Sequence, residues 1–226
     1  MISKLPRWIE YGAFVLALIA GCVNSIGLLG FKHQSISHLS GTATLLGAGI
    51  FNSSAMDIMH LMGIIMSFLI GASLSGFLLS GVSLKLGRHY DSLLAIEGAT
   101  LLLSIYFLTH GFLFGHYMAS AACGIQNALA TSYSGAIVRT THLTGIFTDL
   151  GIMIGAKLKG QTFDKRKAIL FTLIIFGFIL GGFTGAILFS HFTFYALAAP
   201  ASICILLAIS YRLYATHTNP NKIEPN

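Results

Sequence analysis

The chain has 226 residues, of which 55% are apolar and only 9% charged, and its mean hydropathy is +0.80. Soluble domains carry roughly 25% charged residues, so a water-soluble fold is excluded because it could not hide this much apolar surface. The net charge of +6 comes from Lys and Arg in short segments between apolar runs; these read as membrane-topology signals, and no nucleic-acid partner is expected.

The first apolar run covers roughly 8–31, enough for the about 20 residues that a membrane helix needs. Met1–Arg7 and a run ending Ile19-Ala20-Gly21-Cys22 imitate a lipoprotein leader cleaved before its cysteine. Glu10 interrupts that run, and Gly21 and Asn24 recur later in the chain, so the segment is expected to stay as a helix. A short segment at 38–51 begins at His38 and carries Ser40 and Thr44. Its length gives roughly 21 Å of helix against a hydrocarbon core of about 30 Å.

The run at 58–81 carries Gly63, Ser67, Gly71 and Ser75 at steps of four, a small-residue ridge for close helix packing. Met56, Met59, His60, Met62 and Met66 would suit Cu(I). Methionine also packs well against lipid and neighbouring helices, and no metal or other cofactor is expected. The run at 92–110 contains Glu97 near its start. Glu97 is expected to be solvated from the interface, with proton coupling as the functional alternative. In the run at 112–134, Gln126 and Asn127 either tie helices together or line a polar path. Cys22, Cys123 and Cys204 lie inside apolar runs without metal-ligand spacing and read as small buried residues.

The second short segment, 142–156, opens with His142 and carries Thr144, Thr148 and Asp149. His142 and Asp149 are nearly two helical turns apart and share a face, so they form a candidate proton-coupling pair; the alternative is an Asp149 hydrated at the helix end. Arg139 either snorkels to headgroups or faces the path and selects anions. Ser37, Ser40, Thr140, Thr141 and Thr144 either cap the short helices, the role expected of most of them, or line a polar path. After the basic stretch Lys157–Lys167 come the runs 168–189, with its own ridge Gly177, Gly181 and Gly185, and 193–214. The two ridges are expected to touch. Residues 215–226 form a short tail.

No run alternates with period two, so helices are the only workable spans. The halves repeat: His38-Leu-Ser-Gly-Thr-Ala-Thr-Leu-Leu-Gly47 matches His142-Leu-Thr-Gly-Ile-Phe-Thr-Asp-Leu-Gly151 at six of ten positions, and Gly21-Cys-Val-Asn24 pairs with Gly124-Ile-Gln-Asn127. The repeats cover approximately 8–110 and 112–214. If both short segments cross, Lys32, Lys85, Arg88 and Arg139 fall outside; if each dips in and returns, only Lys32 does. The positive-inside rule favours the second count. The expected fold is therefore an all-α membrane protein of six transmembrane helices and two short re-entrant half-helices. It forms two inverted repeats in a bacterial cytoplasmic membrane, with both termini cytoplasmic.

Gly21-Cys-Val-Asn24, Leu39-Ser-Gly-Thr42, Gly124-Ile-Gln-Asn127 and above all Val138-Arg-Thr-Thr-His-Leu-Thr-Gly-Ile-Phe-Thr-Asp149 resemble the YoaK family (domain of unknown function 1275). Motif order agrees over nearly the whole chain. The family has Asp where this chain has Asn24, and Thr-Gly-Asn where it has Ser40-Gly41-Thr42. The resemblance implies a multispan inner-membrane protein and no particular substrate.

No nucleophile motif, phosphate-cradling loop or zinc signature occurs, and no enzyme chemistry is expected. The expected function is a small-solute transporter or channel, with a non-transporting scaffold or sensor as the alternative. Its site would lie at the membrane midplane, where the two short helices begin and their N-termini meet, lined by Asn24, His38, Ser40, Thr44, Gln126, Asn127, Arg139, His142, Thr144, Thr148 and Asp149. Helix N-termini favour anions or the electronegative end of a neutral polar solute. The lipid bilayer and that solute are the expected partners.

Overall fold

In the computed structural model, residues 8–30, 36–79, 89–134 and 138–218 are described, and among them there is no β-strand. The elements are α1 (Trp8–Gly30), α2 (Leu39–Asn52), α3 (Ala55–Leu78), α4 (Tyr90–Thr109), α5 (Phe114–Ser134), α6 (Leu143–Leu158), α7 (Lys165–Phe192), a 3-10 turn (Thr193–Leu197) and α8 (Ala198–Thr218). Lys32, Lys85, Arg88 and the residues from 219 onward lie outside the described residues. The long helices carry large apolar side chains on their outer faces, among them Ile70 and Phe77 on α3 and Phe176, Ile179 and Phe183 on α7. A helix apolar all round is stable only in lipid or deep in a core, so this is a helical protein of membrane type.

Four stretches among the described residues are long and apolar enough to cross a membrane: Ile9–Gly30, Ala55–Leu78, Tyr90–Thr109 and Lys165–His217. The last contains both α7 and α8, separated where Thr193 takes a φ of 49°. Six apolar runs were expected, and α5 is the one missing from this set. Its polar side chains turn inward and are used for packing. Ser120 donates to the carbonyls of Ile36 and Ile64 at 3.2 and 2.9 Å, and the Gln126 amide donates to the Leu16 carbonyl at 3.0 Å.

Helix directions follow from paired contacts. Glu10 meets Arg166 at 2.8 Å, and the carbonyls of Leu18 and Cys22 face Gly181 and Gly185, so α1 and α7 run parallel. His60 meets Tyr117 and Phe68 meets Gly124, so α3 and α5 also run parallel. Asp91 pairs with Arg212 at 3.6 Å and Gly98 lies against Ala201, so α4 and α8 are antiparallel. Ser104 donates to the Gly115 carbonyl at 2.8 Å across the α4–α5 hairpin. Gly30 and the later turns of α4 both approach the 3-10 turn. Hence α1 points the same way as α4 and opposes α5.

The small-residue ridges do pack closely, but not on each other. A Cβ on Gly71 would enter the Ala121 carbonyl of α5, and one on Gly181 would enter the Leu18 carbonyl of α1. The expected α3–α7 seam is thus replaced by two seams, each joining a ridge to the first long helix of the other half. The partners reciprocate: Gly124 fits against Phe68 and Ala72, and Gly21 against Phe178 and Gly182. Glycine on both sides lets backbones approach, so dispersion and weak backbone contacts replace the hydrophobic drive that lipid cannot supply.

Candidate functional site

Each short helix starts where its half makes a hydroxyl-to-amide bond. The Ser37 hydroxyl donates to Asn24 Oδ1 at 2.7 Å, and the Thr141 hydroxyl donates to Asn127 Oδ1 at 3.1 Å. Asn24 and Asn127 are the matched positions of the two Gly-x-x-Asn motifs, and Ser37 and Thr141 immediately precede His38 and His142. The backbones agree as well. His38 has φ −93° and ψ 75°, His142 has φ −95° and ψ 53°, and neither histidine caps its helix with its own side chain. The hydroxyls of Ser37 and Thr141, expected as caps, reach across to a long helix.

These bonds hold the helix starts deep within the bundle. His38 is half-buried with its ring edge-on to Phe178, at 5.8 Å between centroids, halfway along α7. Ser37, Thr140 and Thr141 are buried, and Thr140 Oγ1 has no hydrogen-bond partner among the described residues. The two starts do not share one depth. From the Gln126–Leu16 bond, Asn24 lies eight residues onward along α1 and Asn127 one residue onward along the opposed α5. At 1.5 Å per residue the two amides are staggered by roughly 13 Å along the helix axes.

The other expected site residues divide into groups. Ser40 and Thr44 on α2, and Thr144 and Thr148 on α6, face outward from the chain. In both pairs the threonine donates back to the carbonyl four residues earlier, at 2.8 and 2.9 Å. Gln126 is buried and ties α5 to α1. Arg139 is exposed, and the ring of exposed His142 folds over Gly145. Asp149 pairs with Lys167 at 3.3 Å, at the start of α7. That pair is partly exposed, the kind of contact worth about 0–1 kcal/mol.

Glu97 departs furthest from expectation. It is only 2% exposed and faces Cys204 of α8 and Cys123 of α5, so water from the interface does not solvate it.

One polar group was not legible in the sequence. His60 Nε2 lies 3.1 Å from His116 Nδ1, and His60 Nδ1 lies 3.1 Å from the Tyr117 hydroxyl, with both histidines buried at the α3–α5 seam. With the Tyr117 O–H donating to His60 Nδ1, the His60 Nε2–H donates to His116. Residues 60 and 116 are far apart in the chain, and no local spacing links them. Met56, Met59, Met62 and Met66 face away, at least half exposed, so they do not combine with His60 into a ligand set. Among the described residues there is no group of three or more His, Cys, Asp or Glu side chains able to hold a metal ion.

A family model described as "Protein of unknown function (DUF1275)" matches residues 12–210, and the chain belongs to that family. No curated protein and no solved structure matches it.

Proposed function

We propose that this DUF1275-family protein moves a small polar solute across a bacterial inner membrane, as a transporter or channel of six spans arranged as two inverted repeats. The observation that carries the reading is the matched pair of bonds Ser37–Asn24 and Thr141–Asn127. They fit short helices that begin inside the bundle and return to the side from which their chain entered.

Helix directions support the span number. With neither short helix crossing, chain order makes α1 parallel to α7, α3 parallel to α5, and α4 antiparallel to α8, as found. If both crossed, α4 and α8 would be parallel; if only one crossed, α1 and α7 would be opposed. The contacts of Gly21 with Phe178 and of Gly124 with Phe68 exchange the halves, as expected for inverted repeats. In this arrangement every described Lys and Arg lies toward one side, which the positive-inside rule makes cytoplasmic, together with both termini.

The path runs past two polar stations staggered about the bundle centre. At each, a helix start that its N-cap histidine does not cap offers the positive end of the helix dipole, which favours anions or neutral polar solutes. A non-transporting scaffold is the second reading. It is favoured by open space around Gly41, Gly47, Gly151 and Gly155 on α2 and α6, where another helix could pack.

Liposomes holding the purified chain, assayed by light scattering with urea, glycerol and acetate as probes, test the proposal. Protein-dependent entry of at least one probe, lowered by Asn127→Leu in a folded protein, is the expected result. If folded wild-type protein moves none of them faster than empty vesicles, the transport reading falls and the scaffold reading takes its place.

A further inference from the structure

Glu97 is an acid in the middle of a packed seam. It occupies α4 where that helix is covered by α5 and α8, it is 2% exposed, and Cys204 of α8 lies beside its carboxyl. Its Oε2 has no hydrogen-bond partner among the described residues. From α5 the titratable group facing it is Cys123, and from α8 it is Cys204. The 3-10 turn, which also touches α4, brings only the exposed Tyr195, and on α4 itself Asp91 is engaged with Arg212 at the helix start. Among the described residues no cation is paired with Glu97.

An unpaired carboxylate in such a place would be strongly disfavoured, because nothing replaces its lost hydration. The stable form is the neutral acid. The proton belongs on Oε2, the buried oxygen that has no hydrogen-bond partner among the described residues. Buried polar atoms left without partners are rare and call for a specific explanation, and an ionisable group within a membrane span is a functional candidate by default. Cysteines on both sides are small and add no charge that would fix the carboxyl in one state.

We propose that Glu97 is an intramembrane proton-binding site, a neutral acid at rest that releases and regains a proton at Oε2 between α4, α5 and α8. It does not rest on the transport reading, only on the chain lying in a bilayer.

The test is infrared titration of the full chain in phospholipid bilayers from about pH 5 to about pH 10, a range wide enough for carboxyl groups shifted by burial. The expected result is a protonated-carboxyl C=O band that disappears as pH rises while a carboxylate band grows, with both absent from Glu97→Gln. A band that persists unchanged to the alkaline end marks a fixed structural acid, and no band at any pH marks a permanent carboxylate; either overturns the proposal. If Glu97→Gln does not fold, an apolar carbodiimide answers the question on the wild-type chain. The carboxylic O–H adds across its C=N bond, and mass spectrometry should locate an adduct on Glu97 at acidic pH that is lost at alkaline pH. A Glu97 unmodified at every pH, or modified equally at all, overturns it as well.

Discussion

Ser37, two residues before the first short helix, donates its hydroxyl proton to the side-chain oxygen of Asn24 on the first long helix at 2.7 Å. Thr141 and Asn127 repeat the relationship in the other half at 3.1 Å. If each bond ties a short helix to a long one, removing the acceptor and removing the donor should not be independent. Interhelical side-chain bonds in membranes contribute about 0.6–2 kcal/mol. A double-mutant cycle of Asn24→Ala with Ser37→Ala, read by thermal unfolding in detergent, is expected to give a coupling in that range. Asn24→Ala combined with Thr141→Ala should be additive, since those residues have different partners. Equal coupling in both cycles would mean that the bonds do not act locally.

The glycine seams predict a contrast between buried and open positions. Gly181→Ala and Gly71→Ala drive a Cβ into the backbone carbonyl of Leu18 or Ala121, which cannot rotate away as a side chain would. Overpacking of this kind costs about 1–3 kcal/mol. Gly151→Ala and Gly47→Ala meet nothing within 4 Å, and in a helix interior the change from Gly to Ala is favourable by roughly 0.5–1 kcal/mol. Melting temperatures should therefore fall for the first two and hold or rise for the second two. The same order in all four would remove the seam from the stability argument.

Topology is open to a direct chemical reading. In a background lacking Cys22, Cys123 and Cys204, a cysteine replacing Ser54 is expected to react with an impermeant thiol reagent on intact cells. One replacing His89 should react only after permeabilisation. Crossing of both short helices reverses the two sites. Labelling of position 89 but not 54 in intact cells would therefore disprove the six-span arrangement.

The membrane class, the lengths of the helices and the two short segments beginning at His38 and His142 were all legible in the sequence. Each depends on hydropathy and spacing within one stretch of chain, and α2 and α6 begin at Leu39 and Leu143, directly after those histidines. The Gly-x-x-Asn repeat likewise pointed to the two asparagines that hold the short helices. What the sequence did not decide was which face of each helix turns inward. In water that face is written as an apolar stripe, but in lipid both faces are apolar, and only shape and a few polar atoms distinguish them. So the ridge through Gly71 found α5 rather than α7, Glu97 turned toward Cys204 and not toward the interface, and His60 met His116 across the bundle. Those outcomes belong to the tertiary structure, because each needs a partner surface supplied by a distant part of the chain.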